Sequence, residues 1–474
     1  MQHKLDYPKL SIDLIDYLFS IKGNGIFKEW IDLNKKQTLG KVMVDDLGDT
    51  SPFAYYVYDN YSINNNKKDE IDLYTKYVIK KYQQENGLFI TNRDLEVKNN
   101  SYLNIFNSDK MSDIAVGLNL MFQLTNDIFY KNSSIRFFNG LENINIVDYP
   151  IAYMKYGFVK VPWFSGKWDG LYMEEKVNLY KITDDQQYID SAMRSAMYWI
   201  NTKFFKKYGL FSFESTPFFK PVMRSLFKQM LNLRFDIAMS SKANTNLIFG
   251  LTELYLITND KKLKNALLKW VNATDNLLLH NDGYFYSFWS EIKGPSYVFL
   301  GHDHAMIDAL LDIYLSTGFE KALIVAKSNI DYWLSRQTDE GYFPQGAIGE
   351  KVLPPNRLLS NRQKAKWLKG ETSNMARLDI HTDYGVMLLK MYEITGDKKY
   401  FDACKSMIEG LVKHSSYSGA YVDIINTKTL KKDYFLIETK FLFLLTKLFT
   451  AFDLIEKNGS IYNNSLFKSL IRDR

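Results

Sequence analysis

Cysteine is the scarcest residue type in this sequence of 474 residues, where it occurs once, as Cys404. No disulfide bond can form within the chain, and a metal site built from several cysteines is excluded. Histidine occurs six times, and the sequence contains no His-Glu-x-x-His motif for zinc. We therefore predict neither a metal site nor another cofactor.

Long apolar runs are also missing. The most apolar late segment, residues 441–452, is about a dozen residues long and includes Lys447, so it is too short to span a bilayer. The first ten residues, MQHKLDYPKL, lack the basic region followed by an apolar run that is typical of signal peptides. We expect a cytoplasmic protein that has no membrane partner.

The excess of positive charge is small. The chain has 60 Lys and Arg residues against 54 Asp and Glu residues, a net charge of +6. A nucleic-acid-binding protein would carry a concentrated basic stripe, so we predict no nucleic-acid partner. Aromatic residues make up 15% of the chain, which suits both a large core and a cleft whose rings stack on sugars.

A short pattern recurs along the chain: an aromatic residue, a variable pair, then Thr or a small polar residue, then Asn, Asp or Gly. Its copies begin, at spacings of 57 to 78 residues, at Tyr61, Phe122, Tyr180, Tyr255, Tyr314, Tyr392 and, in degenerate form, Phe449. Each copy ends a segment that is apolar on nearly all sides, as expected for a buried inner helix. A more amphipathic outer helix follows, most clearly over 262–278, 320–334 and 398–412.

A glycine–aromatic segment follows the outer helix in most repeats. Examples are Gly87-Leu-Phe, Gly209-Leu-Phe, Gly283-Tyr-Phe, Gly341-Tyr-Phe and Gly419-Ala-Tyr, and we interpret them as short strands. One hairpin cannot bury its own apolar face, so neighbouring hairpins must stack. We predict an all-α fold, an (α/α) toroid of six to seven helical hairpins (seven are counted) with short β-strands in the connecting loops.

We predict that residues 1–474 form a single catalytic domain, in which residues 1–46 are an N-terminal extension or outer helix. Two repeats are longer than the others, with additions over 214–240 and 347–378. The second addition is basic and suggests either a flap over an anionic substrate or a solvated surface loop. Its charges are Lys351, Arg357, Arg362, Lys364, Lys366 and Lys369.

Polar residues stand eleven positions before the repeated aromatic residue, where the inner helices are expected to begin. They are Thr50, Asp169, Asn244, Asp303, His381 and Glu438, and the second repeat has Met111 instead. Helix capping is an alternative explanation for Thr50, Asn244 and Asp169. It does not readily account for His381 and Glu438, or for the two histidines that flank Asp303.

A ring of inner helices would aim these side chains into one cavity. Two carboxyl groups about 6.5–9.5 Å apart can hydrolyse a glycosidic bond, one as the acid and one as the base that activates water. We predict Asp303 and Glu438 as this pair, with Asp169 as a third catalytic residue. The predicted substrate-binding residues are His304, His381, Trp168, Tyr172, Asn244, Asp383 and Asp49, and Trp289 and Tyr384 are further candidate stacking faces.

The repeated turns, the glycine–aromatic segments and Gly-His-Asp-His-Ala at 301–305 resemble those of the six- and seven-hairpin (α/α) glycosidases and their relatives. Residues 434–445, Tyr-Phe-Leu-Ile-Glu-Thr-Lys-Phe-Leu-Phe-Leu-Leu, resemble the late glutamate motif of the class I α-mannosidases. That resemblance implies that Glu438 belongs to an active site. The partner it implies is an oligosaccharide or polysaccharide.

Three functions remain open on the sequence. A glycoside hydrolase would use the paired carboxylates. A uronate epimerase or polysaccharide lyase acting on an anionic glycan would use Tyr or His as a base and a cation to neutralise the substrate acid, and the basic loop favours it. A non-catalytic glycan-binding scaffold would use the acids only as helix caps.

Overall fold

The structure is a computed structural model, and parts of the chain are described in it. The described residues are 4–22, 25–44, 46–62, 65–90, 108–144, 153–156, 159–162, 164–215, 236–346, 374–433, 435–463, 467 and 470–472. Asp45, most of the addition at 214–240 and the basic segment of the addition at 347–378 lie outside them. In the described part of the chain, no helix is both long enough and apolar enough to cross a membrane.

Helices dominate the described residues, and each of the seven predicted inner helices is helical. The inner helices are α2 (Ser51–Tyr61), α4 (Ser108–Thr125), α6 (Gly166–Thr183), α9 (Thr245–Thr258), α11 (Leu300–Thr317), α13 (Leu378–Thr395) and α15 (Thr439–Asn458). The remaining helices are α1 (Tyr7–Lys22), α3 (Asn65–Tyr82), α5 (Ile128–Ile144), α7 (Gln186–Ile200), α8 (Lys203–Tyr208), α10 (Lys261–Leu277), α12 (Glu320–Leu334) and α14 (Lys398–Gly410). Two π-helical turns are Ser240–Asn244 and Leu411–Ser415.

The strands are short and form small antiparallel sheets. They are β1 (Lys28–Asp32), β2 (Gln37–Val42), β3 (Tyr153–Tyr156), β4 (Val159–Pro162), β5 (Phe164–Ser165), β6 (Glu214–Ser215), β7 (Ile237–Met239), β8 (Tyr286–Ser290), β9 (Gly294–Val298), β10 (Met375–Arg377), β11 (Ser416–Tyr417), β12 (Ala420–Tyr421), β13 (Ile424–Asn426), β14 (Lys432–Asp433) and β15 (Leu436–Glu438). The sheets have the strand orders β15-β1-β2, β10-β13-β14, β7-β8-β9, β3-β4, β5-β6 and β11-β12.

The chain divides into two compact units. Unit 1 comprises residues 1–82, 120–126 and 330–473. In unit 1, α13 packs against α14 and α15, and α15 packs against α1 and α2. The N-terminal segment therefore supplies α1 as a helix against α15 and supplies β1 as the strand that pairs with β15.

Unit 2 comprises residues 83–119, 127–329 and 474. Its central helix is α9, which packs against α6, α10 and α11, and α6 packs in turn against α7. Trp199 of α7 and Trp270 of α10 are fully buried between the helical layers. That the two units belong to one domain stays a prediction.

The repeated threonine explains how an inner helix ends. Thr258 donates its hydroxyl to the Leu254 carbonyl at 2.7 Å and accepts the Asp260 N–H at 3.4 Å, while Asn259 between them takes a left-handed conformation. Asp260 then caps the outer helix α10 by accepting the Lys262 and Leu263 N–H groups. The same arrangement recurs after α6 and α13, so a purely local motif turns the chain from one layer to the other.

The glycine–aromatic segments differ from the prediction of short strands. Only single bridges, Gln83 to Phe89 and Leu279 to Phe285, and the short strand β12 occur at these segments in the described residues. Gly341 shows why these segments need a glycine. Its φ is +86°, and a Cβ atom at this position would lie 2.2 Å from the Ser406 carbonyl oxygen of α14. These segments are tight turns against the next outer helix.

Candidate active site

Asn244, at the start of α9, joins three parts of unit 2. Its Oδ1 accepts the Phe211 N–H at 2.8 Å and the indole N–H of Trp270 at 3.1 Å. Its Nδ2 donates to the carbonyls of Phe211 and Met239 at 2.9 and 2.7 Å. The Asn244 amide therefore links the inner helix to the preceding glycine–aromatic turn and to the outer helix α10.

Two of the predicted catalytic acids have similar positions in unit 2. Asp169 is buried in the first turn of α6 and accepts the indole N–H of Trp199, in outer helix α7, at 2.9 Å. Asp303 is buried in the first turn of α11 and accepts the Asn329 amide N–H at 2.8 Å. Asn329, in outer helix α12, also donates to the Gly283 carbonyl. Both carboxylates are therefore directed at the outer helix of their own hairpin.

His381 has the corresponding position in unit 1. Its Nε2 accepts the Phe343 N–H at 2.9 Å, and its Nδ1 donates to the Arg377 carbonyl at 2.7 Å. This pattern requires the neutral ring with its proton on Nδ1. Burial lowers the pKa of His381 to about 4, so the ring stays neutral near pH 7.

Helix capping does not explain these polar residues. Thr50 and Asn244 stand at N-cap positions but make no side-chain capping bond, whereas Asp185 and Asp397 cap the outer helices α7 and α14. The capping interpretation of Thr50 and Asn244 was therefore wrong. Instead, the hydrogen bonds of Asn244, Asp169 and Asp303 favour a role in joining the helical layers, and the catalytic role of the two acids stays a prediction.

The predicted aromatic stacking faces divide into buried and half-buried rings. Tyr172 is buried and lies 6.2 Å and 6.4 Å from the rings of Phe137 and Phe138. Tyr384 is fully buried beside Phe343. Trp168 is half-buried at the start of α6, and of these three rings it is the one that retains exposed surface for a ligand.

His302 and His304 both lie in the first turn of α11 and are buried. The His302 ring has edge contacts with Phe288 and Phe299, at 6.1 and 5.3 Å between ring centroids. The two imidazoles leave the helix on either side of Asp303. Among the described residues, no group of three or more His, Cys, Asp or Glu side chains is placed to hold a metal ion.

Charged side chains gather where α2 and α15 begin in unit 1. Lys440, in the first turn of α15, lies 2.9 Å from Asp46 Oδ1 and 3.7 Å from Asp49 Oδ2, both in the segment before α2. Asp46 is buried, whereas Lys440 and Asp49 are half-buried. One ammonium group therefore holds two carboxylates together, and Asp49, 31% exposed, is the one that solvent reaches.

Glu438 lies at the same helix start. It is the N-cap residue of α15 and is half-buried, and its side chain makes no capping bond to the helix. The β1–β15 pairing sets it directly opposite Trp30, which is also half-buried. Cβ atoms of directly opposed residues in antiparallel strands lie about 4.5–5.5 Å apart, so the Trp30 and Glu438 side chains begin close together on one side of the sheet.

We name this cluster of Trp30, Asp46, Asp49, Glu438 and Lys440 the unit 1 rim. The sequence prediction included Asp49 and Glu438 but missed Trp30, Asp46 as a partner, and Lys440. No local sequence signal points to Trp30, because it pairs with a residue more than 400 positions away. Lys440 could have been found, because a lysine in the first turn of an apolar helix needs a nearby acid.

Asp383 and Lys447 form a second ion pair in unit 1, between α13 and α15. Their Oδ1 and Nζ atoms are 2.5 Å apart, and the lysine side chain is 3% exposed. Lys447 follows Lys440 by seven residues, so the two lysines share one face of α15. Asp383 was predicted to bind substrate. The structure places it against a buried lysine, and its role in substrate binding stays a prediction.

No protein-family model matches the chain, and no curated protein matches its sequence. Solved structures match its fold. An α-1,2-mannosidase from Trichoderma reesei has a TM-score of 0.62 and 13% identity, over 94% of this chain and 92% of that chain. At this identity the match shows the fold alone, an (α/α) toroid.

Two further toroids have shorter matches to this chain. Cellobiose 2-epimerase from Bacillus thermoamylovorans B4167 has a TM-score of 0.53 and 11% identity, over 78% of this chain and 94% of that chain. A D-mannose isomerase has a TM-score of 0.51 and 12% identity, over 74% of this chain and 87% of that chain. The predicted fold class is therefore confirmed.

Proposed function

We propose that the protein is a carbohydrate-active enzyme, a glycoside hydrolase whose catalytic carboxylate is Glu438. The observation that carries the proposal is the unit 1 rim, where a half-buried glutamate stands opposite an indole ring at the start of a buried helix. The mannosidase with which the chain shares its fold adds support, since the segment around Glu438 resembles the late glutamate motif of class I α-mannosidases.

The rim contains the groups that glycoside hydrolysis uses. A carboxyl group near a scissile bond protonates the leaving oxygen or activates water, and a second carboxylate does the complementary task. We assign the second role to Asp49, because it is the more exposed of the two acids that Lys440 holds. Asp46 keeps Lys440 in place, and Trp30 offers an apolar ring face for a sugar.

Substitution of Glu438 by Gln tests the assignment. The amide keeps the shape of the side chain but cannot exchange a proton with substrate or water, so the rate of glycosidic cleavage should fall about 10²–10⁴-fold. Glu456→Gln is the matched control, because Glu456 is an exposed residue near the other end of the same helix. The measurement is reducing-sugar release from a panel of neutral and acidic oligosaccharides, with the melting temperature recorded for each variant.

The proposal fails if Glu438→Gln cleaves the panel as fast as the control variant. It also fails if loss of activity is matched by an equal loss in folded protein, because Glu438 would then be structural.

A sugar epimerase is the second candidate, favoured by His302 and His304 at the start of α11. An epimerase abstracts a proton from carbon, and a neutral histidine is a suitable base. Incubation of neutral disaccharides and uronate-containing glycans in deuterium oxide separates the two functions. Deuterium incorporation without cleavage would indicate an epimerase, and cleavage without incorporation would indicate a hydrolase.

A further inference from the structure

Large apolar side chains are exposed where the inner helices of unit 2 end. Leu256, in the last turn of α9, is 50% exposed, and Leu315, in the last turn of α11, is 44% exposed. Ile324, in the second turn of the outer helix α12, is 64% exposed. Because α9 packs against α11 and the two leucines hold the same repeat position, the three side chains lie on one face of unit 2. Grouped exposed apolar residues mark an interaction site, whereas single ones need no explanation.

Contacts between helices give the order of the hairpins across this face. The Lys181 ammonium lies 2.8 Å from the Glu253 carboxylate and joins the ends of α6 and α9. Lys131, in the first turn of α5, donates to the Ile182 carbonyl at 3.3 Å, so the start of α5 lies beside the end of α6. Ile128, the first residue of α5, is 59% exposed. The order is therefore the start of α5, the end of α6, the end of α9 and the end of α11.

The two central turns of this face carry opposite charges. The turn from α6 into α7 is acidic, and its exposed carboxylates are those of Asp184, Asp185 and Asp190. The turn from α9 into α10 is basic, and its ammonium groups are those of Lys261, Lys262 and Lys264. Within the described part of the chain none of these six side chains has an ion pair. Asp260, the cap of α10, offsets one positive charge of the basic turn, and the remaining charges face solvent.

We propose that this surface is the interface of a homodimer. We name it the turn face of unit 2, and it comprises the acidic turn, the basic turn and the side chains of Ile128, Leu256, Leu315 and Ile324. Across it the order is apolar, acidic, basic and apolar. A two-fold axis between the acidic and the basic turn reverses that order in the second copy. Each acidic turn then meets the basic turn of the partner subunit, and Ile128 meets the apolar side chains at the far end of the partner's turn face.

A second copy of the chain is the occupant that this order of charges favours. Reversal of the order sets opposite charges against each other, so the surface is complementary to itself, as a two-fold interface must be. An anionic membrane would be repelled by the acidic turn. Leu256 and Ile257, which is 39% exposed, stand beside the proposed axis, where burial of apolar surface drives association.

The homodimer does not depend on the proposed function. The turn face lies at the ends of α6, α9 and α11, whereas Asp169 and Asp303 lie in the first turns of α6 and α11. The second copy would leave these helix starts uncovered. The mass of the protein in solution therefore tests the homodimer without an activity assay.

Glutamate substitutions test the apolar part of the turn face. Leu256→Glu and Leu315→Glu each place a carboxylate where the dimer buries a leucine, so each should raise the dissociation constant of the dimer about 10²-fold. Ile292→Glu is the matched control, because Ile292 is 89% exposed and lies between β8 and β9, outside the turn face. Sedimentation velocity over a range of protein concentrations measures the mass. We expect wild type and Ile292→Glu to have the mass of two chains where the other two variants have the mass of one.

Charge reversal tests the two-fold pairing itself. The variant Asp184→Lys/Asp190→Lys makes both central turns basic and spares Asp185, which caps α7. The variant Lys261→Glu/Lys262→Glu makes both turns acidic. Each variant alone should be monomeric, because like charges meet at both contacts. An equal mixture of the two should recover the mass of two chains, because opposite charges then meet at both contacts.

The charge-reversed variants change only exposed side chains, so they keep the test valid if a glutamate at position 256 or 315 unfolds the protein. Wild type with the mass of one chain at every concentration would overturn the proposal, and so would monomeric wild type that floats with vesicles of phosphatidylcholine and phosphatidylglycerol. A dimer that Ile292→Glu weakens as much as Leu256→Glu would place the interface elsewhere. A mixture of the charge-reversed variants that stays monomeric would contradict the two-fold pairing.

Discussion

The inner helices of unit 2 and those of unit 1 begin in different ways. In unit 2, the first polar side chains of α6, α9 and α11 turn to the outer helices, where Trp199, Trp270 and Asn329 bond them. In unit 1, the starts of α2 and α15 carry acids and a lysine that pair with one another and stay partly in solvent. A shared position in a repeat therefore does not imply a shared role.

Helix geometry sets the direction of the side chain at each position of the repeat. Eleven residues at about 100° each return to within about 20° of the starting direction. The repeat aromatics of α6, α9 and α11 are half-buried, and the residues eleven positions before them bond the outer layer. A side chain two residues after this position points about 200° away around the helix axis. The residues there are Asn246, Asp383 and Lys440. In unit 1 these positions carry the ion pairs, and in unit 2 the Asn246 amide donates to the Lys167 carbonyl.

The largest effect on stability should come from the buried pair in unit 1. Lys447→Met leaves the Asp383 carboxylate buried without its ammonium, which should lower the free energy of unfolding by about 3–5 kcal/mol. Urea denaturation measures this change in the free energy of unfolding. The double variant Asp383→Leu/Lys447→Met should recover most of the loss, and a double variant as unstable as Lys447→Met would show that packing, not charge, is responsible.

His381 tests whether unit 1 also has a layer-joining residue. Its pKa is lowered from 6.5 to about 4 in the folded protein, so the folded state binds fewer protons than the unfolded state between these values. Stability from this group is present above pH 6.5 and is lost, by about 3 kcal/mol, as pH falls to 4. His381→Asn copies the residue that the repeat has at Asn244 and should remove this pH dependence.

The control for His381 is the half-buried His280, and the variant His280→Asn should lose stability between pH 6.5 and 4 as wild type does. If wild type and His381→Asn lose stability in parallel between pH 6.5 and 4, the conclusion that His381 is buried as a neutral imidazole is wrong.

Asn244→Ala should be the smallest of these changes, although it removes four hydrogen bonds of the α9 start. Leaving the Phe211 backbone groups and the Trp270 indole N–H without partners should cost about 2–3 kcal/mol. Asn246→Ala, two residues away on the other face, should cost about 1 kcal/mol. If thermal unfolding shows that both variants lose the same stability, the two helix faces do not differ in their contribution to stability.

Local chemistry made most of the fold predictable. The inner helices end where the sequence predicts, because Thr258 and its equivalents, the left-handed residue after them and the Asp260-type cap interact within a few residues of each other. The pairing of Trp30 with Glu438 was not predictable in the same way. It joins opposite ends of the chain and leaves no local pattern.

The glycine–aromatic segments were predicted as strands because a glycine followed by aromatic residues recurs after the outer helices, where the chain must turn toward the next inner helix. In the structure, the Phe211 backbone bonds the Asn244 side chain and the Phe343 N–H bonds His381. Side chains thus take the hydrogen bonds that a neighbouring strand would have made, and no pattern within the segment itself signals this.

The central claim is that the start of α15 in unit 1 acts on a ligand, whereas the starts of α6, α9 and α11 in unit 2 join the helical layers. A side-by-side measurement of cleavage rate and unfolding free energy for Asp303→Ala and Glu438→Gln tests it. The account predicts that Asp303→Ala loses about 1–3 kcal/mol of stability with the cleavage rate per folded molecule preserved, and that Glu438→Gln loses cleavage with stability preserved. The reverse result, an inactive but stable Asp303 variant beside an active Glu438 variant, would contradict it.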